Sequence, residues 1–199
     1  MINKLNIYEN YYSWWKNIDK TILILIISFF IAGLFFSLVS TSLVASDRLN
    51  TNSYYFFVKH LVFILMGFTI MFVFSLVKED YLIKLSIIFF IVSFLFLLLI
   101  PIIGIEVKGS KRWLDLPFLP RFQPVELIKP FYIVILSSLL NHHKYNLYFK
   151  YLLTLLLIVP IILLLMSQPD IGQSILIILT WLALVFVSGI NLIIFFGLF

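Results

Sequence analysis

Thr21–Ser46 reads TILILIISFFIAGLFFSLVSTSLVAS, 26 residues without a charge. The hydrocarbon core of a bilayer takes about 20 residues of helix to cross, so this run is long enough. It is too long for a secretory signal core of about 7–15 residues. Apolar and polar residues do not alternate along it, which excludes a barrel strand. Backbone groups in hydrocarbon must then be paired within a helix.

The same pattern recurs down the chain. Arg48–Ser53 is polar and turn-like, and Tyr54–Val77 is a second span, with Lys59 and His60 placed to snorkel at its mouth. Lys78-Glu79-Asp80 is a short charged connection to a third span, Tyr81–Ile105, which carries Lys84 near its entry and Pro101 near its exit. Val125–Leu140 is a short fourth span and Tyr151–Met166 a fifth, interrupted by Pro160. Ile171–Phe199 is charge-free over 29 residues, but Ser188-Gly189-Ile190-Asn191 has the residues of a helix C-terminus. The expectation is a sixth span to about Val187 and the opening of a seventh. The fold class is all-α, a polytopic transmembrane helical bundle. Because the sequence stops inside an apolar run, it reads as part of a longer protein.

Composition agrees. The 199 residues are 63% hydrophobic and 12% charged, with a mean hydropathy of +1.14. Soluble domains run at about 45–50% apolar and about 25% charged. The absence of cysteine excludes disulfides and thiolate chemistry. Net charge is +5, with no basic soluble face, so the partner surface is a membrane and not nucleic acid. Residues 1–20 hold Tyr8, Tyr11, Tyr12, Trp14, Trp15, Lys16 and Lys20, the composition of an interfacial segment. Residues 21–199 then form one transmembrane domain with a polar loop at about 106–124.

Placing the N-terminus in the cytoplasm puts seven Lys and Arg on each side. Without Glu106–Pro130 the count becomes seven inside against two outside. The positive-inside rule therefore favours a cytoplasmic N-terminus, and five cations in one outer segment need a reason. They lie in Lys108-Gly109-Ser110-Lys111-Arg112-Trp113, then Arg121-Phe122-Gln123-Pro124-Val125-Glu126-Leu127-Ile128-Lys129. Arginine forks and lysine point charges suit a lipid pyrophosphate headgroup, although a loop resting on anionic headgroups would have the same composition. Phe131–Leu140 is only ten residues, too few to span, so the helix must begin near Pro124. That draws Glu126 and Lys129, three apart on one face, to membrane depth, where ionisable groups are paired or functional. Pro130 cannot bond the Glu126 carbonyl, which adds an acceptor to the patch. In Gln168-Pro169-Asp170-Ile171-Gly172-Gln173, Pro169 suits a first helical turn and Asp170 complements the helix dipole, a sufficient structural reason for both. His142-His143 has no partner at ligand spacing.

Three of these stretches resemble the SEDS family of cell-wall proteins, the group that includes FtsW and RodA. They are Lys108–Trp113, Gln123–Lys129 and Gln168–Gly172. Lys129-Pro130 and Gly172-Gln173 are more similar to the division-type FtsW branch. Val125 stands where a small residue is usual, and Gln173 where a hydroxyl residue is common. The resemblance implies about ten transmembrane helices in the bacterial cytoplasmic membrane and a cytoplasmic N-terminus. It implies a peptidoglycan glycosyltransferase polymerising lipid II at the outer face of that membrane during division. A class B penicillin-binding protein and other division proteins are the implied partners. No cofactor is identified, and the chemistry leaves room for a divalent cation. The alternatives are a lipid II flippase and a non-catalytic division scaffold. The family's essential carboxylate is an Asp in a later outer loop, beyond Phe199, so residues 1–199 are expected to be inactive alone. Lys111, Arg112, Trp113, Gln123, Glu126, Lys129 and Asp170 carry over as cavity or loop-shaping positions.

Overall fold

The computed structural model describes residues 12–49, 54–107, 109–117, 120–143 and 145–189, with the backbone alone for 40–49. Tyr8, Tyr11, Lys108 and the expected seventh span after Gly189 lie outside the described residues. Residues 12–17 are helical, and after them come six longer helices and one hairpin: α1 Lys20–Leu49, α2 Tyr55–Ser75, α3 Glu79–Ile103, β1 Ile105–Val107, β2 Ser110–Trp113, α4 Pro124–Asn141, α5 Leu147–Ser167 and α6 Ile171–Val187. α1 to α5 each contain an apolar stretch long enough to cross a membrane, and α6 is a shorter apolar helix of 17 residues. The expected all-α membrane architecture is the one found.

The boundaries depart from the sequence reading in physically sensible ways. α1 continues through Arg48 to Leu49, into the polar turn expected from Arg48. α3 starts two residues earlier than expected, which places Glu79 and Asp80 in its first turn against the positive end of the dipole. α5 begins at Leu147 and not Tyr151, so the preceding polar loop is shorter.

The chain divides into two compact units, 1–77 and 78–199. In the first, α1 packs on α2 through rings such as Phe30 and Phe68, 4.9 Å apart and edge to face. Asp19 caps α1 by accepting from the backbone N–H of Thr21 and Ile22. Trp14 Nε1 donates to Ser75 Oγ at 3.0 Å, fastening the segment before α1 to the end of α2.

The second unit is built around α4, which packs on α3, α5 and α6. Its buried Val125, Ile128, Tyr132, Leu136 and Leu140 recur every three or four residues, as one buried stripe of a helix must. Trp181 Nε1 donates to Thr154 Oγ1 at 3.1 Å, a buried polar tie between α6 and α5. Lys150 Nζ donates to the Leu140 carbonyl at 2.8 Å and satisfies the C-terminal end of α4.

The segment expected to be a polar loop is a two-stranded antiparallel ribbon with a further bridge, Leu114 to Phe122. Gly104 makes the exit from α3 workable, because a Cβ there would run into the Ile100 carbonyl. Gly109 sits in the tight turn at φ +81°, a left-handed conformation that suits glycine. Leu114 is fully buried, and Phe122 meets Phe96 of α3 edge to face at 5.7 Å. The ribbon is thereby anchored to the helices.

Candidate functional site

The site is assembled at the hairpin end of the second unit by three backbone features. The first is the register of the ribbon. Val107 pairs with Ser110 and Glu106 with Lys111, but Ile105 pairs with Trp113. Arg112 is therefore the extra residue of a bulge, which re-aims a side chain out of strand alternation. It reaches the α5–α6 turn, where Nη2 donates to the Pro169 carbonyl at 2.7 Å and Nη1 lies 3.4 Å from Asp170 Oδ1.

The second feature is the start of α6. Asp170 is its N-cap and accepts from the Gln173 backbone N–H. Pro169 therefore lies before the cap, and not in the first turn as its sequence suggested. Asp170 is 5% exposed. The dipole argument accounts for only part of its role, because it also holds Arg112.

The third feature is the start of α4. Pro124 opens the helix after Gln123 at the N-cap, as the ten-residue argument required. Glu126 Oε2 and Lys129 Nζ are 2.6 Å apart. Gln173 closes the group: its Nε2 donates to Glu126 Oε1 at 2.8 Å, and Lys129 Nζ donates to its Oε1 at 3.2 Å. Both carboxylate oxygens are thus occupied. The Lys129 side chain is 22% exposed and that of Glu126 50%, so the carboxylate faces outward from a cation that is largely covered. An open cleft of about 410 Å³ borders it, lined by Trp113, Phe122, Gln123, Glu126 and Leu127.

Gln173 joins the two polar motifs. Its backbone caps through Asp170 toward Arg112, and its side chain bridges Glu126 and Lys129. In the sequence Gln173 stands out only through the family resemblance, as a likeness to the FtsW branch and as a departure from the usual hydroxyl residue. A long amide in the first turn of an otherwise apolar helix was the signal available.

Of the seven expected positions, Arg112, Glu126, Lys129 and Asp170 belong to this network. Trp113 and Gln123 line the cleft beside it. Lys111 is exposed and, among the described residues, makes no ion pair. Arg121 pairs with Asp115 at 2.9 Å. Three of the five cations of segment 106–130 therefore have carboxylates of their own. Among the described residues no three His, Cys, Asp or Glu side chains are grouped to hold a metal ion.

The model of the FtsW/RodA/SpoVE family, described as cell cycle protein, matches residues 19–199. The chain belongs to this family. A FtsW/RodA relative from Coxiella burnetii, named probable peptidoglycan glycosyltransferase FtsW, is 35% identical over 185 residues, 90% of this chain and 49% of that protein. The crystal structure of the rod shape determining protein RodA of Thermus thermophilus superposes with a TM-score of 0.62 at 26% identity, covering 83% of this chain and 57% of that one. A chain from a peptidoglycan synthase complex that coordinates polymerization and crosslinking superposes with a TM-score of 0.60 at 26% identity, over 79% and 47% of the two chains. The chain spans about half the length of the curated relatives it matches. With its apolar helices, the FtsW/RodA match makes it a multi-pass bacterial membrane protein.

Proposed function

We propose that the chain carries the headgroup-binding part of a peptidoglycan glycosyltransferase, which polymerises lipid II at the outer face of the cytoplasmic membrane during cell division. The observation that carries this reading is the Glu126–Lys129–Gln173 cluster at the start of α4, whose Glu126 lines an open cleft. In the reaction, a sugar hydroxyl of one lipid-linked unit attacks the anomeric carbon of another, and a lipid pyrophosphate leaves. Positive charge preorganised where the leaving oxygens gather lowers that barrier. Lys129, fixed in place by Glu126 and Gln173, supplies such a charge. Glu126 acts as a positioning group, since both its oxygens are engaged. The similarity to chains named FtsW and RodA, and to a peptidoglycan synthase complex, supports a class B penicillin-binding protein as partner.

The test is polymerisation of purified lipid II by the full-length protein with that partner. Removing one preorganised donor typically costs about 10²-fold or more in rate, and Lys129→Met is expected to show a loss of that order. Glu126→Gln keeps one acceptor and should lose less. Normal polymer from both variants removes the cluster from the mechanism. Lipid II translocation into vesicles without polymer would favour a flippase.

The Lys and Arg distribution supports a cytoplasmic N-terminus with the hairpin outside. Single-cysteine labelling of the full-length protein in a cysteine-free background reads this directly. A membrane-impermeant maleimide should label Pro117→Cys in intact cells and Tyr145→Cys only after permeabilisation. The reverse pattern inverts the topology.

A further inference from the structure

A second cleft, of about 330 Å³, lies between the hairpin and the α5–α6 turn, near the lower end of ligand-pocket volumes. It is lined by Pro101, Glu106, Ser110, Lys111, Gln168 and Pro169 among others. Gln168 is 4% exposed, and its Nε2 has no hydrogen-bond partner among the described residues. The neighbouring Arg112 Nε is buried and unpartnered as well. A buried donor left unpaired is costly, and a native structure that keeps one usually has a use for it.

The charges around the cleft decide what it fits. Glu106 and Lys111 stand directly opposite each other on the two strands, yet form no ion pair among the described residues. Among the described residues lining the cleft, one carboxylate and one ammonium therefore remain open, and they cancel. A phosphate would face Glu106 as well as Lys111. A ligand whose polar groups both donate and accept would satisfy both, and it would also accept from the Gln168 amide. Pro101 and Pro169 add apolar surface to the same cleft. Hydroxyls that donate and accept around a ring with apolar C–H faces are the chemistry of a sugar.

We propose that this cleft is a sugar subsite, with the Gln168 amide and Lys111 donating to ring substituents and Glu106 accepting from a hydroxyl. It deepens the glycosyltransferase reading, on which it rests for the identity of the sugar.

The experiment is saturation-transfer NMR of the full-length protein in nanodiscs, with the soluble disaccharide of β-1,4-linked N-acetylglucosamine as probe. Wild type should transfer saturation to the ring protons. Gln168→Met has similar shape and no donor, so transfer should fall about fivefold, the worth of one hydrogen bond. Its thermal midpoint should stay level or rise, because an unpaired buried amide has been removed. Lys111→Met alters an exposed residue, so folding is spared, and it should weaken transfer similarly. The proposal is overturned by no transfer from wild type, by undiminished transfer in both variants, or by displacement of the sugar by inorganic pyrophosphate. Sugar binding with this pattern but no lipid II polymer would leave the subsite standing and sink the polymerase reading. Polymer from wild type with sugar binding indifferent to Gln168 and Lys111 would do the opposite.

Discussion

Two Arg–Asp pairs sit at the hairpin end of the second unit, and the shorter one matters less. Arg121 and Asp115 approach to 2.9 Å, with side chains 63% and 43% exposed. Arg112 and Asp170 lie 3.4 Å apart, with side chains 34% and 7% exposed. The first pair is six residues apart in sequence and joins two points of one loop. The second joins a β-bulge to a helix cap 57 residues or more away, and Arg112 adds a 2.7 Å bond to the Pro169 carbonyl. An exposed pair is solvated on both sides and contributes about 0–1 kcal/mol. A pair in which one partner is covered and also caps a helix cannot be exchanged for water so cheaply. Burial and the number of bonds each group makes rank the two pairs; distance alone would rank them the wrong way.

Asp170→Ala should have the larger effect on stability. It removes the cap of α6, at about 0.5–2 kcal/mol, and strands a half-buried guanidinium whose Nε is already unpaired. A combined loss of about 2 kcal/mol is expected. It would be measured as a lowered thermal midpoint of the full-length protein in detergent, followed by tryptophan fluorescence. Asp170→Asn sharpens the comparison. Asparagine caps about as well as aspartate, so this variant keeps the cap and loses only the charge. Its loss should be about half that of the alanine variant. Equal losses would mean that the Arg112 bridge carries nearly all of the effect.

The helices were legible in the sequence because length and absence of charge suffice to define a span. The start of α4 at Pro124 was legible because ten residues after Pro130 cannot cross a bilayer. The Glu126–Lys129 contact followed from helical spacing. The ribbon was less visible. Ile105 and Val107 flank Glu106 in strand alternation, and Gly109 marks a tight turn, but three- and four-residue strands fall below what periodicity can establish. The links made by Gln173 and Arg112 were out of reach. They join residues 44 to 57 apart in sequence. They exist only because α6 packs on α4 and because one extra residue in β2 re-aims an arginine. For the same reason, the cations could be counted in the sequence but their carboxylate partners could not be assigned.

The smallest expected effect belongs to Arg121→Ala, and it is the one that can break the comparison. The guanidinium is mostly in water, and its partner Asp115 is exposed enough to be rehydrated when the arginine is gone. Solvation of both groups, together with salt, weakens such a surface pair. The thermal midpoint should therefore move by no more than about 0.5 kcal/mol equivalent, and lipid II polymerisation should change less than about twofold. A loss as large as that of Asp170→Ala would mean that Arg121 meets something its exposed setting does not show, such as a lipid headgroup or the partner protein. Repeating the measurement in anionic and neutral nanodiscs would separate those two, because only a headgroup contact should vanish in the neutral bilayer.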